Sequence, residues 1–414
     1  MKAYSTLSQS DIARKTFRCD LLRGGFEGML ATGSQTFCLF IAIRYYHADE
    51  NLKSLIAAAP FMGMFLSLIL VHYAEGTRWR KSLLGALPSV LTGACLIIAA
   101  WSKSVEIYAL FIIIGYIGRS ALLPFLTDIY GDNYPAEKRG NYFSIPLILT
   151  VAVSAVFGAI GSSLLEINIE YFTWLFTLLG FCALAKAWSI YCMPSKNIEA
   201  NSHWHPLANF KYVIQDRAFG YVLFTWFIMG FANLWTLPLR VDYVTSSEYG
   251  IEGSAIFVAL IITIIPDTIR MLFIPFWARM FDRMNFVTLR IILNLLFAVG
   301  VGAFFISKNP WAIGIGSGLI GLAFAGGSIA WNPWVTKYAP PGKTAAYMSV
   351  HVSLTGIRGT IGPMIGYWAY EKIGVVNVGL LSVAMMVVAS LMLIPEIRHG
   401  QRKGNDSTDN NSET

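Results

Sequence analysis

The stretch Tyr347–Gly366, YMSVHVSLTGIRGTIGPMIG, decides how the rest of the chain is read. As a helix it is long enough to cross a bilayer, and it is built mostly of apolar and small residues. Yet it carries His351 and Arg358 with no acidic residue beside either. The two are seven residues apart, two helical turns, so they point the same way. An arginine at mid-helix in lipid costs several kcal/mol, and such residues face a bundle interior, a partner or a wet cavity. The helix that keeps this charge therefore belongs to a bundle with a polar interior. Gly356, Gly359, Gly362 and Gly366 permit close helix contact, and Pro363, directly after a glycine, permits a bend.

Composition extends this reading to the whole chain. Of 414 residues, 55% are hydrophobic and 13% charged, where a soluble domain carries about 25% charged residues. The chain reads as a polytopic membrane protein. Its net charge is +7, but in a membrane protein the position of Lys and Arg says more than their sum, so nothing here points to nucleic acid. Cys19, Cys38, Cys95, Cys182 and Cys192 lie in or beside apolar runs without paired spacing, which excludes a disulfide framework and a zinc site. No metal or cofactor is expected. The first apolar run is too long for a signal-peptide core and reads as a retained transmembrane helix.

Runs of spanning length begin with 21–46, 55–73, 82–101, 107–127, 142–165 and 171–193. After a polar segment come 219–239, 254–277, 286–307, 311–335, 344–370 and 375–395. The expected organisation is an N-terminal segment 1–20, a six-helix bundle 21–193, a central loop 194–216, a second six-helix bundle 217–396 and a disordered tail 397–414. Lys and Arg gather on one side, at Arg14, Lys15, Arg78, Arg80, Lys81, Lys138 and Arg139 in the first half and at Arg279, Arg283, Lys337 and Lys343 in the second. The other side has only Arg44, Lys53, Lys103, Arg240, Lys308 and Lys372. The positive-inside rule then puts both termini and the central loop in the cytoplasm, and the protein, as a monomer, in the cytoplasmic membrane. His203 and His205 in the central loop have too few neighbours for a metal site.

The halves repeat. Pro135, Tyr142 and Ser144 have the same mutual spacing as Pro340, Tyr347 and Ser349, offset by 205 residues, about half the chain. Glu75, Arg78, Arg80 and Lys81 after the second run are echoed by Asp282, Arg283 and Arg290 after the eighth. Parallel six-helix repeats put a substrate site at the midplane between halves that rock. The segment Ala278, Asp282, Arg283, Met284, Asn285 resembles the loop signature G-x-x-x-D-R-x-G of the major facilitator superfamily, with Ala and Asn in place of the two glycines. Pro135, Arg139 and Gly140 are similar to its P-x-x-x-R-G after the fourth helix. The resemblance covers roughly residues 20–396. It implies twelve helices in two pseudo-symmetric bundles and a gating role for Asp282, Arg283, Arg139 and Glu75, although Glu75 replaces the usual Asp and Gly76 stands where a basic residue belongs. The superfamily's Gly-Pro-x-x-Gly of the fifth helix is missing there; Gly362–Gly366 in the eleventh run is similar, and gives no ground for antiport.

Five ionisable residues lie well inside apolar runs: Glu27, Arg119, Asp267, Arg270 and Arg358. At 1.5 Å per residue, Glu27 sits about 9 Å and Arg119 about 12 Å in from the cytoplasmic side, so they can meet, as a fixed ion pair or a working one. Asp267 and Arg270, three apart on one helix, are close enough to neutralise each other. Lys186 is near enough to a helix end to snorkel. Arg358 has no acid within four residues on its own helix; it either pairs across helices, for instance with Asp267, or supplies positive charge to a solute. His351 reads as a packing residue or a proton carrier. Asn233 reads as an interhelical hydrogen-bonder or a solute ligand, and Trp235, with Trp226, Phe227 and Phe231, either lines a pocket or faces lipid or packs.

These features favour a secondary active transporter working by alternating access. There is no G-x-x-x-x-G-K-[ST] phosphate loop for an ATP-driven pump, and neither H-E-x-x-H nor G-x-S-x-G for an enzyme. Glu27, His351 and Asp267 make proton coupling the simplest energy source. Arg358 and Arg119 favour a small organic anion, since guanidinium suits carboxylate or phosphate. Efflux of amphipathic compounds is the second reading within the class, and a non-transporting sensor with a transporter fold the reading outside it.

Overall fold

The computed structural model describes residues 4, 8–75, 77–135, 139–198, 210–331, 334–335, 338–339 and 344–397. Among them are twelve long helices. The first half comprises α1 (Gln9–Arg44), α2 (Glu50–Glu75), α3 (Lys81–Ala100), α4 (Val105–Asn133), α5 (Arg139–Ile167) and α6 (Phe172–Tyr191). The second comprises α7 (Arg217–Thr245), α8 (Ala255–Phe281), α9 (Phe286–Ile306), α10 (Pro310–Ala330), α11 (Thr344–Ile373) and α12 (Val375–Leu393). Eleven are long and apolar enough to cross a membrane. The exception is α11, long enough at 30 residues but diluted by His351, Arg358 and its glycines. The tail beyond Ile397, His203, His205, and the side chains of Glu75, Arg139 and Asp282 lie outside the described residues.

Several expected boundaries differ by a turn or more, two of them for an evident reason. Helix α1 begins at Gln9 rather than at residue 21, because Ser8 caps it through the Asp11 amide and its polar first turns extend the helix beyond the apolar run. Helix α7 continues past Leu239 to Thr245, since Arg240 and Asp242 are buried between helices. The helical ladder of α4 is interrupted at Leu122, two residues before Pro124.

The packing is that of a repeat. In the first half α3 packs on α4 and α6, α1 on α5 and α6, and α2 on α4; in the second α9 packs on α10 and α12, α7 on α11 and α12, and α8 on α10. Every pair maps onto its counterpart six helices later. The contacts between halves, α2 on α11 and α5 on α8, exchange under the same operation. Six crossings return the chain to its starting side, so equivalent helices run in the same direction and the pseudo-twofold lies along the bundle axis. Helices α5 and α11 begin at Arg139 and Thr344, keeping the 205-residue offset.

Small residues set the closest approaches. A methyl on Gly28 of α1 would meet the Thr150 carbonyl of α5 at 2.4 Å, and one on Gly366 of α11 the Trp235 carbonyl of α7 at 2.3 Å. The outer faces carry exposed Phe181, Val299 and Trp368 among many others. An apolar belt of this extent faces lipid in an integral membrane protein.

Candidate functional site

Both halves contribute a π-helical turn to their mutual contact: Gly33–Phe37 within α1 and Leu260–Ile264 within α8. The extra residue of such a turn breaks the regular ladder and re-aims nearby side chains, often at functional sites. The two turns touch, and the Thr36 and Thr263 hydroxyls share a hydrogen bond of 2.5 Å between the halves.

Beside this contact lies a cavity of about 360 Å³, walled by α1, α2 and α4 on one side and by α7, α8, α9 and α10 on the other. Apolar groups such as Leu39, Ile56, Phe61, Phe304 and Phe324 form most of its surface. Its polar groups are Ser34, Gln35, Arg119, Asn233, Arg240, Asp267, Arg270 and Ser317. Among these, three arginines face one carboxylate.

Each charge is held differently. Glu27 accepts from Arg119 Nη2 at 2.6 Å and from Lys186 Nζ at 2.5 Å, so the expected meeting of α1 and α4 occurs. Lys186 does not snorkel: it is 2% exposed and turned inward, because one carboxylate can take both cations. One turn along α1, Arg23 donates to Asp20 at 2.5 Å, and Asp20 also accepts from the Tyr130 hydroxyl. Arg240 donates to Asn233 Oδ1 at 2.6 Å on its own helix. Asp267 and Arg270 stand beside each other but share no hydrogen bond or close ion pair. Asp267 Oδ2 accepts from Ser154 Oγ of α5 at 2.8 Å, and Ser154 is held by Thr32 of α1. Arg270 makes no hydrogen bond or ion pair among the described residues, and its Nε is buried without a partner.

Arg358, expected at the cavity, is not among its lining residues. Its Nη1 donates to the Trp226 carbonyl at 2.7 Å and its Nη2 to Thr355 Oγ1 at 3.1 Å, not to Asp267. The guanidinium folds onto α7 over Gly230, where no side chain obstructs it. Across Trp226, Arg290 stacks 3.8 Å from the ring centroid. His351 is enclosed by Trp226, Trp331 and Trp334, with ring centroids 5.1, 5.1 and 5.2 Å away. Trp235 is likewise outside the cavity, its indole N–H donating to Ser382. Arg283 is exposed just past Phe281, in the last turn by which the helix of α8 continues.

Arg240, Lys186 and Arg290 are hard to place from sequence because each stands near the end of an apolar run, where a charge reads as a loop or a helix end. A signal existed for Arg240, where Val241, Tyr243 and Val244 continue the apolar run. A similar one existed for Asp20 and Arg23, which share a face of α1 with Glu27.

Toward the end of the bundle remote from Gln9, further polar contacts join the halves. Lys53 of α2 meets Asp242 of α7 at 2.9 Å, Arg44 meets Glu252 at 3.1 Å, and Glu166 of α5 accepts from the Ala255 amide at 2.8 Å.

Two bundles related by a parallel twofold, with a part-polar cavity between them, define a membrane-transporter fold. The family model of the Major Facilitator Superfamily matches residues 244–413. That match and the fold of the whole chain agree with the resemblance read from the sequence. Among solved structures it is similar to a variant of the peptide transporter POT in complex with sulfate, with a TM-score of 0.74 and 14% identity over 95% of this chain and 99% of that one. It is also similar to a variant of the nucleoside transporter NupG, at a TM-score of 0.72 and 12% identity over 92% and 99% of the two chains. For a D-xylose-proton symporter the TM-score is 0.69 and the identity 15%, over 92% and 96%. At such identities the likeness shows the fold. No curated protein matches the sequence.

Proposed function

We propose that the protein is a secondary active transporter that carries a small organic anion across the cytoplasmic membrane by alternating access, coupled to protons. The observation that carries this reading is the cavity between the halves, where Arg119, Arg240 and Arg270 outnumber the single carboxylate of Asp267. Guanidinium groups at the polar pole suit carboxylate or phosphate, and the apolar walls suit a hydrocarbon or aromatic body. Its volume of about 360 Å³ suits a metabolite-sized solute. Arg119 and Arg240 already have partners, so Arg270 is the group left to meet the solute. Asp267 is the titratable group in the cavity, which supports proton coupling; one of the similar structures is named as a proton symporter. The contacts through Lys53, Arg44 and Glu166 support reading this conformation as closed on the outer side.

The test is thermal stabilisation of purified protein across panels of organic acids, sugars and amphipathic cations, followed by uptake of the hits into proteoliposomes under an inward proton gradient. A ligand at a hundred times its Kd stabilises by about 2.7 kcal/mol. Organic acids are expected to stabilise and to be taken up faster with the gradient. Stabilisation by amphipathic cations alone would replace this reading with efflux.

A further inference from the structure

Asp267 and Arg270 are three residues apart on α8 and both line the cavity, and at that spacing helical side chains are neighbours. They nonetheless form no ion pair. The Asp267 carboxylate is held across the interface by Ser154, at 2.8 Å, while the Arg270 guanidinium has no hydrogen-bond partner among the described residues.

The surroundings make the two depend on each other. Helix α10, packed on α8, has no titratable residue along Pro310–Ala330. Helix α5 offers Ser154 here, its Glu166 being engaged near the outer end with the Ala255 amide. The π-helical turn of α1 offers Gln35 and Thr36, which do not titrate. The other cations of the cavity are occupied, Arg119 by Glu27 and Arg240 by Asn233, and Arg290 of α9 lies against Trp226 outside it. Arg270 is thus the positive charge beside Asp267 and also a free anchor for an anion. An anion on Arg270 cancels that charge and brings a second negative charge next to the carboxylate, which favours its protonation.

We propose that Arg270 anchors the anion and that Asp267 takes up one proton when the anion binds, so that the two cross together. The inference rests on the anion-carrier reading above. The proton comes from water and adds to a carboxylate oxygen of Asp267; no other bond changes, and the resulting acid can still hydrogen-bond Ser154. Because Ser154 belongs to the other half, the same event reaches the contact that must open and close.

Infrared difference spectroscopy on the purified full-length protein reads the carboxyl band of Asp267, assigned by its loss in Asp267→Asn. Arg270→Gln is expected to raise the pH midpoint of that band by at least about one unit, a tenfold change in proton affinity. The panel is benzoate, succinate, inorganic phosphate and sulfate. A member that stabilises the wild type is expected to raise the midpoint too, and to have no effect on Arg270→Gln. Arg270→Lys keeps the charge, so its midpoint is expected to stay near that of the wild type while the anion binds about tenfold more weakly, for want of the planar fork; this variant decides the matter if Arg270→Gln does not fold. Equal midpoints in Arg270→Gln and wild type overturn the inference, as does an anion that binds without moving the band. An anion that stabilises both proteins equally removes this inference and leaves the anion-carrier reading in place. If no anion stabilises the wild type, both fall.

Discussion

Lys53 on α2 and Asp242 on α7 come from opposite halves, and their charged atoms meet at 2.9 Å with both side chains withdrawn from solvent. Lys53 also reaches Glu50 at 3.0 Å and lies over the Tyr367 ring of α11, so one ammonium draws three helices together. Removing one partner of a buried pair strands the other, at about 3–5 kcal/mol. A state tied by this pair should therefore lose population in Asp242→Asn. With a cysteine placed at Ser317 in the cavity, labelling from the side on which Lys53 lies is expected to speed up at least tenfold, and the exchanged pair Lys53→Asp with Asp242→Lys to restore slow labelling. Unchanged labelling in Asp242→Asn would show that the pair does not hold the state.

Glu27 is the hub of the first half, taking Arg119 and Lys186 on its two oxygens. Glu27→Gln leaves two buried cations facing each other and is expected to cost more stability than Lys186→Met, which removes one of them and leaves the Glu27–Arg119 pair intact. Glu27→Gln combined with Lys186→Met should cost less than the two single changes added, by roughly 0.5–3 kcal/mol in a double-mutant cycle. Additive losses in thermal unfolding would mean that the contact contributes nothing to folding.

Gly230 and Gly25 form a contrast within one molecule. A methyl on Gly230 would lie 2.3 Å from Arg358 Nη1, whereas a methyl on Gly25 meets nothing within 4 Å. Gly230→Ala should push the guanidinium off the Trp226 carbonyl and cost about 1–3 kcal/mol, while Gly25→Ala should change the melting temperature little. Pairing Gly230→Ala with Arg358→Met, which no longer needs that carbonyl, is expected to recover much of the loss. If Gly230→Ala melts with the wild type, Arg358 has another place to go.

The helix count, the repeat and the Glu27–Arg119 meeting were legible because they depend on run length, offset and depth, which a linear sequence records. Partner choice between helices was not. Asp267 has Arg270 at ideal spacing on its own helix yet bonds Ser154, and the π-helical turn at Leu260–Ile264 just before it, a feature that re-aims nearby side chains, leaves no mark in the hydropathy. For Arg358 the sequence gives only depth along its helix, and depth does not distinguish the cavity from the groove over Gly230. Arg240 was hidden differently: charge ended the apparent run, although the helix continues because Asn233 receives that charge.

The contact of the two π-helical turns has its own consequence. Thr36 and Thr263 are almost without solvent exposure, and their hydroxyls, 2.5 Å apart, bond each other between the halves. If either is replaced by Val, the other hydroxyl is left in a dry contact, at a cost of about 1–3 kcal/mol, whereas replacing both with the isosteric side chain leaves nothing unsatisfied. The double variant should therefore be more stable than at least one single variant and near the wild type in thermal unfolding. Transport should respond differently. A polar contact made in one state adds to the barrier for leaving it, so the double variant is expected to interconvert faster, as seen in the exchange rate between two fluorophores placed on opposite halves. Single variants as stable as the wild type, or a double variant that loses the sum of both, would mean that the two hydroxyls act independently and that the turns meet through packing alone.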